Sequence, residues 1–165
     1  MPIKPTSRQF SDDQIHLRRP RAEEIDRLAP LAFHVLKESA EYAVYNIDLE
    51  RAKQNARRWI GGEDRYFVRI AEDSNGKVLG FFVGQVYARW FTRDISATDE
   101  MVFVSPQARG RGVGKAMLQA FISWAREKGA VKFFLGDTLG ISLEASKALY
   151  ISAGFREAGH IYGAD

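Results

Sequence analysis

Cysteine is absent from this chain of 165 residues, which excludes disulfides and thiolate metal sites and fits a reducing compartment. Histidine is scarce. His16, His34 and His160 lie far apart and form no pair at ligand spacing, so no metal site is expected. No apolar run reaches the ~18 residues that a membrane-spanning helix needs, and the opening MPIKPTSRQFSDDQ has no apolar stretch of the signal-peptide kind. A cytoplasmic protein with no membrane partner is the expectation. Dominance by one charge is missing too, since 24 Lys and Arg against 21 Asp and Glu leave a net +3. The cations cluster only in RRPR at 18–21 and RGRGVGK at 109–115, with acids spread between. A nucleic-acid binder would gather them on one face, so that class is disfavoured.

What is present suits one globular domain: 45% hydrophobic and 27% charged residues, with no repeat and no internal linker. Residues 1–14 are polar, proline-bearing and aperiodic, and read as a flexible arm; residues 15–165 form the domain. IHLRRP reads as a short strand stopped by Pro20. Ile25, Leu28, Leu31, Val35 and Leu36 follow helical spacing between Arg21 and Ser39, with a kink or break expected at Pro30. A second helix spans Asp48 to Ile60, with Asp48 as its cap and Gly61-Gly62 as its stop. The period then changes: YFVRIAED, a turn at Asn75-Gly76 and VLGFFVGQVYARW form a hairpin. A strand over Ala97–Val104, a helix over Gly112–Lys128, the strand AVKFFLGD, the helix SLEASKALYISA and a last strand FREAGHIYG follow. The order is that of a mixed α/β domain.

The most informative stretch is QARGRGVGKAM, Gln107 to Met117, with three glycines and three cations just ahead of a helical pattern. Glycines let a backbone approach an anion, and a helix N-terminus offers unpaired N–H groups. The bland reading is a solvated basic turn. The Walker A pattern fails, because Arg109 and Ala116 stand where glycine and Ser/Thr are required. The dinucleotide pattern G-x-G-x-x-G fails as well, at Lys115 and Met117.

R-x-x-G-x-G remains, from Arg109 through Gly112 and Gly114, between a strand and a helix. It resembles the acetyl-coenzyme A motif of the GCN5-related N-acetyltransferase (GNAT) superfamily, Q/R-x-x-G-x-G/A. MVFVSPQARGRGVGKAML is similar to that family's strand, turn and helix, and LYISAGF at 149–155 resembles its LYEKLGF segment. The resemblance covers about residues 15–163, most specifically 100–157. It implies the GNAT fold: a mixed, mostly antiparallel sheet with a splayed central strand pair and flanking helices. It also implies an acyltransferase that moves the acetyl group of acetyl-CoA to a primary amine, on a small molecule or a protein, by direct attack in a ternary complex.

The resemblance also assigns sites. Backbone N–H groups from Arg109, Gly110, Arg111, Gly112, Val113, Gly114 and Lys115 would face the pyrophosphate of acetyl-CoA, with Arg109, Arg111 and Lys115 adding charge. Met101, Val102, Phe103 and Val104 would pair with the pantetheine arm through their backbone, Val102 and Val104 above all. Tyr150 occupies the family's tyrosine position and is the candidate general acid; the alternative is a core tyrosine bonding locally. Glu100 stands where many relatives carry a carboxylate and is the candidate base. Asp99 adjoins it on the opposite strand face, so only one of them can look into the site. Leu143 takes the place of an Asn that often contacts the cofactor, with Asp137 or Ser142 as conceivable substitutes.

The family selects its acceptor in the loop between the first two helices, here ESAEYAVYNID. Glu38, Glu41, Tyr42, Tyr45 and Asn46 together suit a cationic amine, while each taken singly reads first as part of a solvated helix end with core tyrosines. Relatives end in two strands after the last helix, and this sequence has room for one. An open sheet edge invites pairing, so a homodimer covering the C-terminal edge is expected. The alternatives to an enzyme are an acyl-CoA-binding module without turnover and a basic nucleic-acid-binding protein.

Overall fold

The computed structural model describes residues 14–163. The expected arm at 1–14 therefore lies outside the described residues, apart from Gln14. The elements run β1 (His16–Arg18), α1 (Ile25–Glu38), α2 (Leu49–Gly61), β2 (Tyr66–Glu72), β3 (Val78–Ala88), β4 (Ile95–Val104), α3 (Val113–Glu127), β5 (Ala130–Phe134) and α4 (Leu143–Ser152). Short 3-10 turns at Ala22–Glu24 and Pro106–Ala108 precede α1 and α3.

Local chemistry accounts for most boundaries. The Asp48 carboxylate accepts from the Arg51 amide at 3.0 Å and opens α2. In the β2–β3 turn, Gly76 takes φ 76° and the Asp73 carboxylate accepts from the amides of Asn75 and Lys77, each at 2.9 Å. The break expected at Pro30 is absent, and α1 runs through it. Pro30 and Asp26, whose carbonyl loses its helical donor, are both exposed near the start of α1, where water can serve that carbonyl.

The sheet is ordered β1-β2-β3-β4-β5. All pairs are antiparallel except β4 with β5. That parallel pairing covers only Ile95–Thr98 of β4, against 130–134. From Asp99 to Val104 β4 continues with no β5 residue opposite it, which is the splayed pair. One core fills the face under α3 and α4, with Phe67, Phe82, Met117, Leu118, Phe121 and Trp124. A second fills the face under α1 and α2, with Ile25, Leu28, Ile60, Val68, Ile70 and Phe81. Gly84 makes the first possible, because a Cβ there would lie 2.5 Å from the Phe121 ring.

One irregularity positions the site. Gly84 pairs with Asp99 and Val83 with Met101, so Glu100 is an extra residue on β4, a bulge. The bulge reverses the alternation of the strand. Ala97 belongs to the α3-side core before it, and Val102 and Val104 pack there after it, while Met101 and Phe103 pack on the α1/α2 side.

The last strand expected over FREAGHIYG does not form, and residues 155–163 have no regular structure. Phe155 anchors the segment, its ring 6.3 Å from Phe133 and 6.0 Å from Tyr150. Beyond it Glu157 pairs with Lys147 of α4 at 2.7 Å, which ties the tail to the helix rather than to the β5 edge. Ile161 and Tyr162 stay 81% and 88% exposed, so no apolar burial draws them into a ladder.

Candidate active site

The glycine-rich junction lies where β4 hands over to α3. The Ser105 amide donates to the Leu79 carbonyl at 2.8 Å, closing β4 against β3. Fully buried Ala108 pins the turn to the core. Gly110 and Gly112 then adopt φ 76° and 84°, left-handed values that cost an L-residue about 1–2 kcal/mol each. A Cβ at either position would meet no atom within 4 Å, so the backbone there borders open space. The first helical bond of α3 runs from the Ala116 amide to the Gly112 carbonyl at 2.9 Å. Val113, Gly114 and Lys115 precede it, and first-turn amides have no helical carbonyl behind them. The junction therefore presents first-turn N–H groups and the positive end of a helix dipole to open space, and the side chains of Arg111 and Lys115 are exposed beside it.

Two members of the motif have further work. A Cβ on Gly114 would sit 3.2 Å from Leu149, so this glycine lets α3 pack against α4. Arg109 donates from Nε to the Val104 carbonyl at 3.2 Å, tying the turn back to the end of β4. Met101, Val102, Phe103 and Val104 line the splay. Met101 and Phe103 stand opposite Val83 and Phe81 of β3, and among the described residues the β5 side of this stretch has no strand partner.

At the apex of the splay the sequence-predicted base and acid part company. Glu100, on the bulge, is exposed and accepts from the Gln85 side chain. Tyr150 of α4 instead lies beside Asp99. Its hydroxyl is 3.5 Å from Asp99 Oδ2 and 3.4 Å from the Gly136 carbonyl, while Asp99 Oδ1 accepts from the Gly136 amide at 3.1 Å. Burial pushes the Asp99 carboxyl up to about 6, against the bond from Gly136. Burial, with Asp99 and then Asp137 adding negative charge, pushes the Tyr150 hydroxyl above the usual tyrosine range. Tyr150 is therefore protonated at neutral pH. The sequence offers Glu100 as the candidate base with Asp99 on the opposite strand face, only one of them able to look into the site, and carries no signal for Gly136.

Across the splay the α1–α2 loop touches the β5–α4 loop. Ser39, 1% exposed, donates to the Leu139 carbonyl at 2.6 Å, and the Tyr42 and Thr138 hydroxyls are 2.7 Å apart. The rings of Tyr42 and Tyr45 lie 6.1 Å apart. Glu38 is held by His34 at 2.9 Å. Of the residues considered in place of the missing Asn, Asp137 accepts from the Gly140 amide at 3.3 Å and Ser142 precedes α4 without a side-chain cap bond. Leu143 itself is 55% exposed. Among the described residues no three His, Asp or Glu side chains gather around a metal-sized site, and no helix is long and apolar enough to cross a membrane.

Known proteins share parts of this sequence and its fold. An aminoglycoside N(6′)-acetyltransferase type 1 from Klebsiella aerogenes is 34% identical over 96 residues, 57% of this chain and 62% of the relative. An L-methionine sulfoximine/L-methionine sulfone acetyltransferase from Pseudomonas paraeruginosa is 28% identical over 117 residues, 66% of each chain. The matched part thus spans just under two thirds of the length of either relative. The solved structure of AAC(6′)-Iy in complex with the bisubstrate analogue CoA-S-monomethyl-acetylneamine superposes with a TM-score of 0.70 at 18% identity, covering 92% of this chain and 97% of that one. The family model of the acetyltransferase (GNAT) family matches residues 26–155, a span that holds the splayed strand, the glycine junction and Tyr150, and the chain belongs to that family.

Proposed function

We propose that this chain is an N-acetyltransferase that delivers the acetyl group of acetyl-CoA to a primary amine, on a small molecule or a protein, by direct attack with both substrates bound. The observation that carries the reading is the β4–α3 junction, where Gly110 and Gly112 hold left-handed backbone against open space ahead of the first turn of α3. Its donor set fits a diphosphate. When bound, acetyl-CoA supplies an activated thioester carbonyl. The amides of Gly110 and of Gly112 to Lys115 would receive its diphosphate, with charge from the Arg111 and Lys115 side chains. The Arg109 and Arg111 amides, expected there from the sequence, instead donate to the Pro106 and Ala108 carbonyls at 3.4 and 3.3 Å. The backbone of Val102 and Val104 offers the pantetheine arm a strand edge, with Arg109 leaving the Val104 carbonyl to free it.

Tyr150 passes the proton on its hydroxyl to the departing thiolate sulfur, a role its raised pKa supports by keeping that proton in place at neutral pH. Glu100, acting through water, takes a proton from the acceptor ammonium and leaves it nucleophilic. Glu38, Glu41, Tyr42 and Tyr45 favour a cationic acceptor. The β5 edge, paired among the described residues only to β4 and carrying Val131 at 70% exposure, supports a homodimer closed on that edge. Such an enzyme would work in the cytoplasm.

Thermal unfolding with acetyl-CoA, coenzyme A, ATP and an oligonucleotide tests the site. Stabilisation by the coenzyme A pair alone is expected; a shift from ATP or the oligonucleotide instead would overturn it. Thiol release is then followed across an amine panel headed by aminoglycosides and methionine sulfoximine, the acceptors named for the two curated relatives. Release with at least one amine is expected. Binding without release from any amine would leave an acyl-CoA-binding module.

A further inference from the structure

The carboxylate nearest Tyr150 has no part in the reaction just described. We propose that Asp99 is a positioning residue for Tyr150, fixing its hydroxyl at the mouth of the splay between β4 and β5. The proposal rests on the reading of Tyr150 as the general acid. Pairing of the two strands ends at Thr98 and Phe134, and two residues beyond the end of β5 the Gly136 amide is taken by Asp99 Oδ1 at 3.1 Å. A side-chain acceptor thus replaces the ladder where it stops, which satisfies that amide and keeps the strands apart. The Gly136 carbonyl lies 3.4 Å from the Tyr150 hydroxyl, and the second oxygen of Asp99 3.5 Å from it. Asp99 therefore reaches Tyr150 by two routes, directly and through one peptide group.

Both contacts to the hydroxyl are long beside the ~2.7–2.8 Å usual for O–H···O bonds. Neither captures the proton, and the hydroxyl is located yet free to turn to a third acceptor in the splay. The bulge is what permits this. With Glu100 as the extra residue, Asp99 faces α4 while the next carboxylate bonds Gln85 on the other side of the sheet. The titratable groups around the pair are Glu100 on β4 and Asp137 in the loop after β5. These groups are acidic, and among the described residues Asp99 has no cation here to serve as an ion-pair anchor.

The test combines a spectroscopic and a kinetic arm. Carboxyl carbon NMR follows the titration of Asp99 in the wild type and in Tyr150→Phe. Loss of the hydroxyl donor should move its midpoint upward, a change that packing alone would not cause. In the kinetic arm, Asp99→Asn should lower kcat about 10–100-fold, up to the lower end of a full general-acid effect because Tyr150 itself remains, with KM for acetyl-CoA within about twofold. Combined with Tyr150→Phe it should add little to that single loss, because both changes disable one unit. An unmoved midpoint, or losses that multiply, would overturn the proposal. If Tyr150→Phe keeps wild-type turnover, the general-acid reading fails by itself, and the NMR arm still decides whether Asp99 holds the hydroxyl.

Discussion

Gly112 concentrates the residue-scale argument, because its conformation and its surroundings make separate demands. Its φ of 84° penalises any side chain, whereas the space where a Cβ would go is open. Gly112→Ala should cost about 1–2 kcal/mol of stability through the left-handed backbone and weaken acetyl-CoA only modestly. Gly112→Asp adds a carboxylate at the proposed diphosphate site, and calorimetry should find acetyl-CoA binding lost. Retained micromolar affinity in the aspartate variant would remove the cradle. Tyr150→Phe makes the complementary case: turnover should fall about 100-fold or more, as for other general acids, with acetyl-CoA affinity kept. Equal turnover would make Tyr150 a packing residue.

At the scale of elements, local pattern and tertiary demand can be separated at two positions. Pro30 sits exposed inside α1, and Pro30→Ala restores a donor to the Asp26 carbonyl without disturbing any buried contact. Chemical denaturation should show a gain of about 1–3 kcal/mol, up to the full cost of an interior helical proline. Gly84 works in the opposite sense. Its absent Cβ leaves room for Phe121, stacked on Phe82 at 4.7 Å, and Gly84→Ala should cost about 1–3 kcal/mol by overpacking. A neutral result would mean that the α3-side core yields more readily than its packing implies. Periodicity reveals α1, α2 and the hairpin because those signals are local. The bulge at Glu100 has none, since no turn residue marks it and it exists only in the register between β3 and β4.

For the molecule as a whole, acid stability reports on the network that locks the first strand to the sheet. Arg18 bonds Glu24 at 2.7 Å and Glu72 at 2.8 Å, and Arg27 reaches Glu24 at 2.9 Å. Hydrogen bonding to Arg18, against the opposing effect of burial, holds the Glu24 carboxyl at about 2, well below its ordinary 4.5. A depressed carboxyl contributes stability above its unfolded value and loses it as pH falls toward the folded one. Stability should therefore decline from about pH 4.5 to about 2 through Glu24. The raised Asp99 acts oppositely: its cost is full above about 6 and vanishes below 3.8. Denaturation midpoints against pH should show the Glu24 decline flattened in Arg18→Gln and unchanged in Asp99→Asn. The proposed dimer is tested at the same scale. Light scattering at micromolar concentration should give twice the 18.6 kDa chain mass, and a Val131→Lys variant should give the monomer.

The sequence alone determined whatever depends on neighbours a few residues apart: the helical and alternating periods, the cap at Asp48, the turn at Gly76, and the strand, glycines and helix of the junction. These follow from backbone sterics and short-range hydrogen bonding, which act along the chain. Only the tertiary structure decided that Asp99 rather than Glu100 stands beside Tyr150, 51 residues away, that Gly114 serves helix packing, and that Arg109 caps the Val104 carbonyl. It also decided that the segment after α4 follows Lys147 instead of adding a strand. Those outcomes turn on register and on contacts between remote segments, where a shift of one residue exchanges the faces of a strand.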